Sequence, residues 1–163
     1  RLAIQQKIFS RKQKTSKNYQ KQKLAVARIH EKARNGRLDL HHKITHSLIC
    51  ENQATSYALE DLAVKNMVKN RKLAKAINDV GWGQFVTLLT YKAKWYGKHV
   101  LKVNQFFASS KICSHCDHKL DSLALSVRSW SCPNCQTTHD RDINASNNIR
   151  SRALADVAGL ATV

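Results

Sequence analysis

The chain has 163 residues, 42% of them hydrophobic, enough for one ordinary globular domain with a small appended module. It carries 28 Lys+Arg against 11 Asp+Glu, a net charge of +17. Such an excess points to a polyanionic partner, above all nucleic acid, with a solvated basic surface or an acidic lipid as the alternatives. No apolar run approaches the roughly 20 residues of a membrane span and no segment has the form of a signal peptide, so no membrane partner is expected. The chain opens on Arg1 and has one methionine, Met67. It therefore reads as a fragment, or as a product cut from something longer.

Residues 1–37 are dense in cations, among them Lys12, Lys14, Lys17, Lys21 and Lys23, and only Glu31 opposes them. Leu, Ala, Gln and Lys favour a long basic helix or a helical hairpin broken near Thr15–Asn18, the alternative being a disordered basic arm. Asn35-Gly36 punctuates the chain. Leu38, Ile44, Leu48 and Ile49 then predict an amphipathic helix over 38–51. Cys50 closes it as a small buried residue, and His41, His42 and His46 read as ordinary helix-face residues. Residues 54–60, ATSYALE, read as a strand ending at Glu60-Asp61. Residues 62–78 are basic, with Lys65, Lys69, Arg71, Lys72 and Lys75, and suit a phosphate-facing loop or helix. After Gly81-Trp82-Gly83, the spacing of Phe85, Leu88, Leu89 and Trp95 predicts a helix over 84–96 with these side chains in the core, ended by Gly97. His99–Phe107 is strand-like. Helix and strand alternate up to a cysteine module and a last helix from about 141, which favours an α/β sheet.

Cys113-x-x-Cys116 and Cys132-x-x-Cys135 are separated by 15 residues. Two such knuckles bring four thiolates into a tetrahedron, the coordination that Zn²⁺ accepts. Leu123, Leu125, Val127 and Trp130 alternate between them like strands, so the module reads as a zinc ribbon. With four cysteines, His115, His118 and His139 are not needed as ligands, and the zinc is structural. Disulfides or free thiols are the alternatives, and an iron–sulfur cluster is a further one that this spacing suits poorly.

In so basic a chain, each acid invites a question. Glu60 stands at a strand end and Asp142 at a helix start. Carboxylates from strands and one helix meet in this way in RNase H-like nucleases, where they hold two Mg²⁺ ions that activate a water and steady the leaving oxygen of a phosphodiester. Asp61 competes with Glu60 for that role. Asp140 reads as the cap of the last helix. Glu60 could equally be a surface acid, and Asp142 could simply favour the positive helix N-terminus.

The stretch from Ser109 to Ile149, SSKICSHCDHKLDSLALSVRSWSCPNCQTTHDRDINASNNI, resembles the C-terminal part of the TnpB (OrfB-type) family of transposon-encoded, RNA-guided DNA endonucleases, relatives of type V CRISPR effectors. Residues 59–85, LEDLAVKNMVKNRKLAKAINDVGWGQF, resemble that family's second RuvC motif, and the basic run at 1–37 resembles the helical stretch before it. The resemblance implies a partial RNase H-like (RuvC) α/β fold with long basic helices and an inserted four-cysteine zinc ribbon. It divides the chain into a basic helical segment (1–52), a core part with the second acidic motif (53–110), the ribbon (111–138) and a helix with the third acidic motif (139–163). It gives Glu60 and Asp142 the second and third catalytic acids, with Mg²⁺, and gives Cys113, Cys116, Cys132 and Cys135 the zinc.

The family's first acid lies on an upstream strand with no counterpart in these residues, and two acids alone should hold metal poorly. The chain by itself is therefore expected not to cleave DNA and to need the remaining N-terminal part of the nuclease or a companion chain. The implied partners are guide RNA and target DNA, met through Lys12, Lys14, Lys17, Lys21, Lys23, Lys65, Lys69, Arg71 and Lys72 by phosphate and shape. The implied location is the prokaryotic cytoplasm, beside the nucleoid. A non-catalytic nucleic-acid-binding fragment or subunit is the second reading, and a strand-joining DDE-type transposase is a weaker third.

Overall fold

The computed structural model describes residues 1–160, apart from the side chains of residues 72, 73 and 160. Helix α1 (Leu2–Ser10) and helix α2 (Lys17–Cys50) form the basic arm. The break falls near the expected place, and Ser16 sets it: its hydroxyl oxygen accepts a 3.1 Å bond from the Tyr19 amide, capping the start of α2. The two helices meet through the Phe9 and Tyr19 rings, 4.6 Å apart, and through Gln22, whose amide donates to the carbonyl and side-chain oxygens of Gln5.

Asn35-Gly36 does not interrupt α2, contrary to the sequence expectation. A single helical glycine costs only about 1 kcal/mol. Gly36 does not take the positive φ seen at Gly81 and Gly97, so no turn is imposed there. At about 1.5 Å per residue, the 34 residues of α2 reach about 51 Å.

Strand β1 (Ser56–Glu60) leads to α3 (Val64–Met67), α4 (Arg71–Val80), α5 (Trp82–Trp95) and β2 (His99–Val103). The strands pair in parallel, from Ser56 with His99 to Glu60 with Val103, as a parallel pair with a helical crossover requires. Alternation sends Tyr57 and Leu59 to one face, against the buried Ile49, Leu89 and Ala93 of α2 and α5. Ala58 and Glu60 face the other way, towards α6 (Arg141–Leu160). The sheet thus lies between α2/α5 and α6.

Gly81, with φ of 64°, turns α4 into α5. A Cβ there would stand 3.0 Å from Arg37 Cδ and 3.1 Å from His41 Cε1. Lys92 is buried with its amine hydrogen-bonded: Nζ donates to the His42 carbonyl at 2.8 Å and to Thr45 Oγ1 at 2.9 Å.

Other expectations are corrected here. Cys50 is exposed, with its sulfur 3.3 Å from His46 Nδ1. His41 is not an ordinary face residue but buried, its Nε2 3.0 Å from the Val80 carbonyl oxygen, whereas His42 and His46 are exposed. Trp95 is 75% exposed and packs edge-on to Tyr91, outside the core that holds Leu88 and Leu89. The strand expected over 99–107 stops at Val103, because Asn104 starts a turn by accepting the Phe106 amide through its side chain.

The chain then passes a 3₁₀ turn (Ser109–Lys111) into the cysteine module, whose antiparallel strands are β3 (Ser129–Ser131) and β4 (Thr138–Asp140). Of the four alternating apolar residues, only Trp130 lies in a strand. Leu123 and Val127 instead pack irregularly on the cysteine cluster, and Leu125 is 83% exposed. No helix among the described residues is long and apolar enough to cross a membrane.

Candidate metal centre and acidic cleft

The knuckles are built alike. The Asp117 amide donates to the Cys113 carbonyl and the Gln136 amide to the Cys132 carbonyl, at 2.9 and 2.8 Å. The Cys113 and Cys132 amides donate in turn to the carbonyls of His118 and Thr137, both at 2.9 Å. The four sulfurs lie within 4.8 Å of one another, with Cys113–Cys135 and Cys116–Cys132 each at 3.6 Å, and all four thiols are free. A zinc tetrahedron with Zn–S bonds of about 2.3 Å has sulfur–sulfur edges of about 3.8 Å. The donor set therefore fits a metal such as zinc.

Burial pushes the Cys113 thiol up to about 12, while the Thr137 hydroxyl and amide bring Cys135 down to about 6. On the count of cysteines His139 is not needed as a ligand. It is buried on β4 under the Trp130 ring with Nε2 3.0 Å from Cys113 Sγ, whereas His115 and His118 are exposed.

The second knuckle leads straight into α6. Asp140 caps the helix, its Oδ1 accepting the amides of Asp142 and Ile143 at 2.9 and 3.0 Å. Asp142 lies in the first turn with its carboxylate free of that duty. Arg141 clamps the ribbon, its guanidinium donating to the carbonyls of Ala124 and Leu125, each at 3.0 Å.

Glu60 and Asp142 line one cleft of about 630 Å³, together with Trp82, Ser109 and Arg128. Glu60 accepts a bond from Ser109. Asp142 faces Arg128 Nη1 at 3.5 Å, and both side chains of that pair are well exposed. Asp61, the competitor of Glu60, pairs with Lys102 at 3.1 Å.

Sequence reasoning misses the side chains that dock α6. Asn144, buried, accepts the Ser114 amide and donates to the Ile112 carbonyl at 2.9 and 2.7 Å, and Asn148 donates to the Ser109 and Ile112 carbonyls at 2.8 and 2.6 Å. Their only signal is a spacing of four on one helix face. Lys12, Lys14, Lys17, Lys21, Lys23, Lys65, Lys69 and Arg71 are exposed and enter no ion pair among the described residues, while the Lys72 side chain lies outside them. They lie on the arm and around α3, and the structure does not draw them into the cleft.

A family model described as Cas12f1-like, TNB domain matches residues 82–149, and one described as Probable transposase (OrfB_IS605) matches residues 1–71. The chain is 43% identical over 155 residues to a protein of Streptomyces pristinaespiralis named "Putative RNA-guided DNA endonuclease", covering 95% of this chain and 38% of that protein. It is 34% identical over 173 residues to InsQ of Escherichia coli K12, which bears the same description, covering 97% of this chain and 42% of that one. It thus spans about two fifths of the length of these relatives. Among solved structures, the cryo-EM Cas12f1–sgRNA–target DNA complex aligns with a TM-score of 0.62 at 19% identity, covering 91% of this chain and 39% of that one. A CRISPR–Cas12f ternary complex aligns with a TM-score of 0.67 at 17% identity, covering 91% and 31%. At these identities the likeness is one of fold. With one family model from the arm through β1 and α3, another from α5 into α6 across the cysteine module, and relatives matched over nearly its whole length, the chain belongs to the TnpB (OrfB-type) family.

Proposed function

We propose that the chain is the C-terminal part of an RNA-guided, transposon-associated DNA endonuclease with a RuvC-like site. One observation carries this: Glu60 from β1 and Asp142 from α6, far apart in sequence, line the same cleft. Two hard oxygen donors in one opening are the kind of ligand Mg²⁺ takes, and a third acid would complete the set. Bound there, Mg²⁺ would activate a water and stabilise the leaving oxygen of a phosphodiester. Asp140 caps the helix and Asp61 does not line the cleft, so neither competes for the role.

In this reading residues 1–52 and 53–110 are the basic helical and core parts of the RuvC-like region. Residues 111–138 hold a structural zinc through Cys113, Cys116, Cys132 and Cys135, and residues 139–163 complete the site. The arm and the cations at 65–72 take guide RNA and target DNA by their phosphates, in the cytoplasm beside the nucleoid. A third acid comes from the rest of the nuclease, so the 163-residue polypeptide alone does not cut.

In the complete nuclease loaded with its guide RNA, Glu60→Ala and Asp142→Ala should each abolish Mg²⁺-dependent cutting of a matched duplex, with RNA binding kept. The isolated polypeptide should leave the duplex whole. Cutting at the parent rate by either variant, or guide-dependent cutting by the isolated polypeptide, would overturn the reading.

A further inference from the structure

Glu60 reaches the cleft with a partner. Its Oε1 accepts a 2.7 Å hydrogen bond from the hydroxyl of Ser109, 49 positions along the chain. Ser109 is 5% exposed and opens the 3₁₀ turn into the ribbon. Its carbonyl accepts from Asn148 Nδ2 at 2.8 Å, and Asn148, 6% exposed, lies on the helix that carries Asp142. One run of bonds therefore joins β1 to α6 through Glu60, Ser109 and Asn148.

We propose that Ser109 is a positioning residue for Glu60, anchored by Asn148, so that this relay holds the two carboxylates of the cleft in register. The proposal rests on the reading of Glu60 and Asp142 as ligands of a divalent cation. A glutamate side chain at a cleft rim samples several rotamers, and fixing it carries an entropy cost. A hydroxyl donated to Oε1 fixes the side chain beforehand. It also leaves Oε2 and a further Oε1 lone pair free for a metal. Ligating carboxylates are commonly held by such outer partners, whose removal costs about 10–100-fold in metal affinity or activity. Asn148 holds the other end, because its bonds to the Ser109 and Ile112 carbonyls fix the turn from which the hydroxyl projects.

The test is a Mg²⁺ titration of guide-dependent cutting by the complete nuclease. Ser109→Ala is expected to raise the half-saturating Mg²⁺ concentration about tenfold, with cutting regained at saturating Mg²⁺. Ser109→Thr, which keeps the hydroxyl, should stay near the parent value. Zinc content and melting midpoint are read on the same proteins. Should the alanine variant fail to fold, Ser109→Cys supplies a weaker donor for the same titration. An unshifted half-saturation, or an equal loss at every Mg²⁺ concentration shared by Ala and Thr, overturns the relay. Glu60→Ala run in parallel separates the two levels. If it cuts like the parent, the reading of the cleft falls, and the relay with it. If it is dead while Ser109→Ala is unshifted, only the relay falls.

Discussion

Asp117 and Gln136 hold equivalent positions, each following the second cysteine of its knuckle, and each has φ of 60°. Their amides close the turns onto Cys113 and Cys132, so the left-handed conformation is imposed by the loop that gathers the sulfurs. A Cβ in that region costs about 1–2 kcal/mol. Asp tolerates it better than most residues, whereas Gln has no such compensation. Gln136→Gly is therefore expected to stabilise the zinc-loaded chain by about 1 kcal/mol, after allowance for glycine's greater freedom when unfolded. That corresponds to a melting midpoint about 2–4 °C higher, with a smaller gain for Asp117→Gly. A lower midpoint for Gln136→Gly would mean that the side chain makes a contribution larger than the strain. Gly81 is the converse case. There the positive φ coincides with Arg37 and His41 atoms within about 3 Å of a would-be Cβ, and glycine is required on both counts.

At the scale of elements, α6 is held to the entry of the ribbon by polar side chains in a buried seam. Asn144 is 1% exposed and bonds to Ser114 and Ile112, while Asn147 on the same helix faces solvent. Asn144→Ala should cost about 2 kcal/mol, because the Ser114 amide loses its acceptor inside the seam, whereas Asn147→Ala should change stability by less than about 0.5 kcal/mol. Thermal melts of the two zinc-loaded variants decide the matter, and equal midpoints would mean that the seam contributes nothing. This seam also marks where reading the sequence stops. Cys-x-x-Cys spacing, the strand ending at Glu60, and the Asp140 cap are legible because each depends on neighbours in sequence. Leu123, Leu125 and Val127 carry the period of a strand, but the loops that gather the four cysteines, not a ladder, decide their conformation. Asn35-Gly36 has the form of a turn, yet one glycine is a small cost within a helix of 34 residues. Residue type alone would bury Cys50, and its exposure follows from which face of α2 meets α5. Beyond the four-residue spacing of Asn144 and Asn148, nothing in the sequence marks these two or Ser109, because burial of a polar side chain is set by long-range partners, 30 to 49 positions away.

Over the whole molecule, charge and architecture divide the work. The acids of the cleft lie between sheet and α6, while the cations at 12–23 lie on the arm formed by α1, α2 and their linker. A net charge of +17 would by itself attract any polyanion, so affinity alone cannot tell a dedicated phosphate-binding arm from a generally basic surface. The salt dependence can. Each phosphate contact removed lowers the slope of log K against log salt by about 0.7–0.9. Replacing Lys14, Lys17 and Lys21 by Ala should lower that slope by about 2–3 for an RNA or RNA–DNA ligand followed by fluorescence anisotropy. Replacing Lys94, Lys119 and Arg150, equally exposed but away from the arm, also takes the net charge from +17 to +14 (17 − 3). It should shift affinity modestly and leave the slope nearly unchanged. Equal slopes for the two triple variants would mean that the arm is a solvated face and that the phosphates are bound elsewhere.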